Sequence, residues 1–384
     1  MRSASRLADI APFHVMELLT RAKVLEAEGR DIIHMEVGEP DFPTPAPIIA
    51  AAQQAIADGR VYYTPALGLP ELREAISRFY LQRYGIAVPA SRIVVTAGAS
   101  GALTLALACL VEPGSEWLLT DPGYPCNRHF IRSYEGIAVD MPVDESSNFQ
   151  PTPALMERHW NARTRGALLA SPANPTGTML SASALAALAD FIRARDSQLI
   201  VDEIYHGLTY DGDAPTALAA GDDIFVIQSF SKYFQMTGWR LGWMVVPERF
   251  MRDIEKLAQN LFISPSTPAQ HAALAAFAPE TLAILEARRE TFRQRRDFLA
   301  PALAALGFRL TARPQGAFYI YADSSALTDD SGKFAAALLE RAGVAATPGI
   351  DFGRHAPAQH LRFAYTTAVA RLEEAVERIA RFIG

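Results

Sequence analysis

The chain has 384 residues, more than one ordinary domain needs and enough for two around a sizeable core. Half of the residues are hydrophobic and a fifth are charged, and 36 basic against 42 acidic residues leave a formal charge of −6. That is globular composition without a general pull toward nucleic acid or anionic membrane, so a small anion must be held by local groups. The first residues, MRSASRLADIAPF, lack the apolar core of a signal peptide, and the apolar run 99–111 is too short to span a bilayer. Cys109 and Cys126 show neither a disulfide ladder nor metal-ligand spacing. Two reduced thiols in a cytoplasmic protein are expected, with one disulfide as the alternative.

Apolar periodicity predicts a helix over 15–28, closed by Gly29. IIHMEV (32–37) comes next as a short strand, then GEPDFPTPAP (38–47), whose prolines forbid a helix interior. Helical patterns cover 47–57 and 69–84. The chain then alternates: strand IVVT (93–96), helix 99–110, strand WLLT (117–120), a helix after Pro125, strand GALLA (166–170), helix 182–194, and strands LIVD (199–202) and IFVIQS (224–229). Continuous apolar strands between helices predict an α/β fold with a mostly parallel sheet covered on both faces. Beyond Pro279 come a long charged helix (281–306), FRLT (308–311), GAFYIYAD (316–323), a helix near 333–342, VAAT (344–347), LRFAYT (361–366) and a last helix. These predict a smaller α+β domain. The expected large domain is 48–279, and 1–47 joins 280–384 in a discontinuous small one.

The segment QSFSKYFQMTGWRLGW (228–243) places Ser229, Lys232 and Arg240 just after a predicted strand. A lysine amine can form an imine with a phosphorylated aldehyde, while hydroxyls and a guanidinium hold the phosphate. Three further segments fall at predicted strand ends, where open α/β sheets bind ligands. In TAGAS (96–100), the Ala99 and Ser100 N–H groups and the Ser100 hydroxyl can meet a phosphate, or Ser100 can simply cap the helix. In SPANPTG (171–177), Asn174 either faces a ligand or closes an Asx-turn. In VDEIYHG (201–207), Asp202 ends an apolar strand and needs a partner there, either a cationic pyridinium nitrogen or a helix start that it caps. His206 is read as structural or surface, and Trp239 and Trp243 as core. The histidines show no metal spacing, so no metal site is expected. TAGASG is no GxGxxG fingerprint, which disfavours a nicotinamide enzyme.

Taken in order, VGEPDFPTP (37–45), YYTPALGLPELREA (62–75), DPGYP (121–125), SPANPTG, VDEIY, SFSKYFQMTGWRLG, PQGAFY (314–319) and LRFAYT span nearly the whole chain. This ordered set resembles the class I/II, aspartate-aminotransferase-like enzymes of fold type I. The resemblance implies pyridoxal 5'-phosphate held by Lys232, which then acts as base and acid. It implies that Asp202 pairs with the pyridine N–H, that Tyr205 and Asn174 bond the ring hydroxyl oxygen, and that Tyr124 stacks on the ring. Ala99, Ser100, Ser229 and Arg240 would hold the phosphate. Tyr63 would reach the phosphate of the neighbouring subunit, implying a homodimer. Arg362 would bind the substrate carboxylate, with the Gly38 backbone beside it.

An aminotransferase using amino-acid and 2-oxo-acid substrates is therefore expected. A carbon–sulfur β-lyase on the same fold is the alternative. A ligand-sensing module is disfavoured because the resemblance begins almost at the N-terminus. Phe13 and Val15 in IAPFHV (10–15) offer apolar contact to a substrate side chain, and QNLFISPSTPAQ (259–270) has no basic residue. A neutral donor, aromatic or aliphatic, is expected over aspartate, unless Arg21 or Arg128 folds into the pocket.

Overall fold

The computed structural model describes residues 3–384. The chain opens with α1 (His14–Ala27) and β1 (Ile33–His34), succeeded by α2 (Ala46–Ala57) and α3 (Pro70–Tyr84). Pro70 suits the first turn of α3, which lacks a helical partner for its N–H, and Gly85 closes the helix at φ +69°. Then come β2 (Ile93–Thr96), α4 (Gly98–Leu110), β3 (Glu116–Asp121), α5 (Cys126–Ser133), β4 (Ile137–Pro142) and α6 (Pro153–His159). Next are β5 (Thr164–Ala170), α7 (Ala182–Arg193), β6 (Gln198–Asp202), β7 (Phe225–Ser229) and β8 (Gly242–Val245). The chain ends with α8 (Met251–Leu261), α9 (Thr267–Leu274), α10 (Pro279–Ala305), β9 (Tyr319–Asp323), α11 (Ser331–Ala337), β10 (Val344–Ala345), β11 (Thr347–Pro348), β12 (His360–Ala364) and α12 (Val369–Ile383).

The main sheet has seven strands in the order β2-β8-β7-β6-β5-β3-β4. Five of them, from β4 to β7, run parallel, and β8 is antiparallel to both β7 and β2. Every residue of β2, β7 and β8 is buried, as expected of strands covered on both faces. Sequence patterning missed two strands. The edge strand β4 is mostly half-exposed and carries an aspartate and a proline, so it lacks an apolar run. β8 lies in the glycine- and tryptophan-rich stretch that reads as chemistry.

Two small sheets complete the fold. β1 pairs in parallel with β10, and β11, β12 and β9 form an antiparallel trio. Three expected strands are corrected here. IIHMEV contributes only two strand residues. VAAT is divided between the two sheets, Val344–Ala345 beside β1 and Thr347–Pro348 beside β12. FRLT forms no strand beyond an isolated bridge from Arg309 to Asp323.

Among the described residues no helix is long and apolar enough to cross a membrane, and both cysteines are free thiols.

Candidate active site

Strands β3, β5, β6 and β7 end on one side of the sheet, and the segments after them wall a cavity of about 260 Å³. This is where an open parallel sheet binds ligands, because the connections diverge there.

At one end stands the start of α4. Its N-cap residue, Ala97, gives no side-chain hydrogen bond, so the first N–H groups are left for a ligand, and Ala99 and Ser100 line the cavity. Ser100 lies within the first turn and is not the cap. Gly98 has φ +72°, and a Cβ there would lie 2.9 Å from Arg240 Nη2, so glycine is what lets the guanidinium approach the helix start. Arg240 is itself left-handed at φ +52°, and its Nη1 donates to the Thr237 carbonyl at 3.1 Å. Ser229, the last residue of β7, donates from Oγ to Ser231 Oγ at 3.0 Å. Helix N-terminus, guanidinium and hydroxyls together make a cradle for a phosphate-like anion.

Asp202, the last residue of β6, is buried, and its Oδ1 accepts from the Ile204 N–H at 3.0 Å. The chain turns directly after it and starts no helix there, so the helix-cap alternative does not apply. Burial pushes its carboxyl up to about 6, against the opposing Ile204 N–H and Lys232 charge. Lys232 projects into the cavity and donates from Nζ to the Gly38 carbonyl. Burial brings its ammonium down to about 8; Glu39 and Asp202 oppose this, and Arg362 and Arg240 assist it.

Arg362, on β12, is buried at the other end. Its Nη1 donates to Asn174 Oδ1 at 2.9 Å and its Nη2 to the Glu36 carbonyl. The guanidinium carbon stands 4.2 Å from the centre of the Tyr319 ring. The Tyr319 hydroxyl meets that of Tyr205 at 2.9 Å. A Cβ on Gly38 would lie 1.8 Å from the Tyr319 hydroxyl, so the chain passes there only as glycine. Tyr124 walls the cavity after β3, and the Phe13 ring meets it edge-on at 6.3 Å.

Lys232, Asp202, Tyr205, Asn174, Tyr124, Ala99, Ser100, Ser229, Arg240, Gly38, Arg362 and Phe13 thus share one cavity. Tyr63 does not; it is 81% exposed on the surface of the chain. His206 is buried behind the site, its Nδ1 at 3.1 Å from the Tyr84 hydroxyl, and burial pushes its pKa down to about 3. It does not line the cavity. Trp243 is core as expected, but Trp239 is only partly buried and donates to Thr44 Oγ1 at 3.0 Å. Sequence reasoning gave no role to Tyr319, Ser231, Thr237 or Met16, which also line the cavity. The first three lie inside the motifs already singled out, which was the available signal.

The donor set fits a ligand with three distinct ends. The cradle suits a phosphate, the lysine amine suits an aldehyde, and a buried carboxylate with one protein hydrogen bond suits a cationic ring N–H. Pyridoxal phosphate has those ends, and with the seven-stranded sheet they define a pyridoxal-phosphate enzyme of fold type I. A family model for aminotransferase class I and II matches residues 30–379. The chain is 38% identical to a valine–pyruvate aminotransferase of Mycobacterium tuberculosis, across 98% of this chain and 97% of that one. It is 34% identical to an aspartate/prephenate aminotransferase of Thermus thermophilus over the full length of both. The crystal structure of an aminotransferase from M. tuberculosis superposes with a TM-score of 0.96 at 38% identity, covering 100% of this chain and 99% of that one. The chain belongs to the class I and II aminotransferases, and the lyase and ligand-sensing alternatives are set aside.

Proposed function

We propose that this aminotransferase prefers neutral donors, aliphatic or aromatic, over aspartate. One observation carries the reading: the two guanidiniums in the cavity are both committed. Arg240 lies at the anion cradle and Arg362 is bonded to Asn174 and Glu36, while Phe13, Val15, Met16 and Val37 line the remaining wall. Arg21 pairs with Glu340 on the surface, and Arg128 lies 3.7 Å from Asp140 outside the cavity lining. A distal carboxylate would lose hydration without gaining a charged partner. The valine donor in the name of the M. tuberculosis relative supports an apolar side chain. Aspartate, named for the Thermus relative, is the competing donor. We expect kcat/KM for valine, methionine or phenylalanine to exceed that for aspartate by ~10-fold or more, the scale set by one mismatched pocket contact. A clear preference for aspartate would overturn the reading.

In this reading Lys232 holds the cofactor and then moves the substrate proton. Bound pyridoxal phosphate supplies an electron sink for the pair left at the substrate Cα. Asp202 would hold the ring N–H, Tyr205 and Asn174 would bond the ring hydroxyl oxygen, and Tyr124 would pack against the ring. Ala99, Ser100, Ser229 and Arg240 hold the phosphate. Arg362 grips the α-carboxylate beside the Gly38 backbone, and its hydrogen bonds to Asn174 and Glu36 fix the fork before substrate arrives. A neutral Lys232 amine takes the Cα proton and returns it at the acceptor carbon. We read residues 48–279 as the large domain and 1–47 with 280–384 as the small one, which the β1–β10 pairing supports.

We also assign Tyr63 to a neighbouring subunit's phosphate cradle. Support comes from an exposed apolar surface around it. Val61, Tyr62, Leu261 and Ile263 are all exposed, and Thr267 Oγ1 donates to the Tyr62 carbonyl, tying the two segments together. Mixing inactive Tyr63→Phe and Lys232→Ala subunits should restore activity, because a mixed dimer holds one intact site. A fully active monomer at assay concentration would contradict a shared site.

A further inference from the structure

α1 begins at His14 with Phe13 in the capping position, and Phe13 supplies no side-chain acceptor. The acceptor comes from far along the chain: the His14 N–H donates to Asp351 Oδ1 at 3.1 Å. Asp351 is 6% exposed, and its Oδ2 is buried with no hydrogen-bond partner among the described residues. Burial pushes its carboxyl above the usual carboxylate range, while the Arg362 charge and the His14 N–H at the helix start favour the charged form.

The loop that carries Asp351 is tightly held. The Gly123 N–H donates to the Phe352 carbonyl at 2.9 Å, and the Arg354 and His355 N–H groups donate to Asp121 Oδ2 at 2.8 and 3.2 Å. Gly353 comes so close that a Cβ would lie 1.7 Å from Asp121 Oδ1. The Phe352 ring centre lies 4.8 Å from the Arg362 guanidinium carbon. One short loop therefore touches the carboxylate-binding arginine, the end of β3 and the start of α1. The residues at that start, Phe13, Val15 and Met16, form the apolar wall of the cavity.

We propose that Asp351 is a positioning residue: by capping α1 from outside, it holds Phe13, Val15 and Met16 over the substrate side chain and so sets affinity for large apolar donors. This rests on the apolar-donor reading above. The Arg362 end of the substrate is held by other contacts, so loss of the cap should be felt only by donors that have a side chain to cover.

The test is steady-state kinetics of the holoenzyme with alanine, valine, methionine, phenylalanine and aspartate. In Asp351→Ala, KM for valine, methionine and phenylalanine should rise about tenfold, the effect of a lost cap of ordinary strength. KM for alanine should stay within about twofold and kcat within about threefold, because Arg362 keeps its bonds to Asn174 and the Glu36 carbonyl and Lys232 is unaltered. Asp351→Asn keeps an acceptor oxygen and should restore the wild-type pattern. His14→Pro breaks the same bond from the donor side. Proline is tolerated at the first helical position, and Phe13, at φ −90° and ψ 103°, already lies in the extended region to which a following proline confines its neighbour. It should reproduce the donor-selective rise even if Asp351→Ala fails to fold. A KM change equal across all donors, or no change in either bond-breaking variant, would overturn the role of Asp351. A wild type that prefers aspartate would instead overturn the apolar-donor reading, so the two failures are distinguishable.

Discussion

Lys232→Ala is expected to lose covalent cofactor and to lower turnover by ~10⁴-fold or more, the upper range for a positioned acid–base group that is also the attachment point. The sequence contains four lysines, and the side chains of Lys23, Lys256 and Lys333 are 65%, 61% and 88% exposed in surface ion pairs. Lys232 alone among them lines the cavity. Borohydride reduction of the wild type and subsequent mass spectrometry should therefore place the phosphopyridoxyl group on Lys232, and an adduct on another lysine would sink the assignment. The pH dependence adds a second check. Burial lowers the ammonium from 10.5 to about 8, so the reactive neutral amine becomes dominant above that pH. Covalent uptake of pyridoxal phosphate by the ligand-free protein should climb as pH rises toward 8 and then level. Continued climbing to pH 10 would mean that the amine is not shielded as the cavity indicates.

Asp202→Ala should retain covalent cofactor on Lys232 yet lose about 10³-fold in kcat, or ~4 kcal/mol of transition-state stabilisation. In the ligand-free protein the buried Asp202 carboxyl is raised to about 6, with the Ile204 N–H and Lys232 favouring its charge too weakly to offset burial. A cationic ring N–H held beside it would reverse that balance, keeping the carboxylate ionised and the ring protonated. Alanine removes the counter-charge, so the electron pair released when Lys232 takes the Cα proton has a poorer sink. Asp202→Asn keeps the shape but not the charge and should be nearly as slow. KM should change far less than kcat in both variants, because the α-carboxylate contact lies at the other end of the cavity. Near-normal kcat in Asp202→Ala would show that the carboxylate does not hold the ring.

Much of this site was legible in the sequence, and for a physical reason. Phosphate cradles, strand-end carboxylates and lysine attachment points are short local segments whose residue types are dictated by the ligand chemistry. Thus TAGAS, VDEIY and SFSKYFQMTGWR already contained Ser100, Asp202, Tyr205, Ser229, Lys232 and Arg240. The parallel core was equally readable, since strands buried on both faces must be apolar throughout. Edge strand β4 was not, because half-exposed positions carry no such pattern.

Only the tertiary structure decided which distant residues meet. Nothing local to Tyr319 indicates that its hydroxyl bonds Tyr205 or that Arg362 lies over its ring, because those contacts join elements far apart in the chain. Nothing local to Asp351 points to the start of α1, 337 residues earlier. The sequence by itself determined the sheet, the cofactor and which segments supply the lysine and aspartate that line the cavity, since each rests on local patterning or ordered motifs. Packing decided how the N-terminal segment and the Asp351 loop close the substrate end, because a hydrogen bond or ring contact between remote segments leaves no periodicity in either of them.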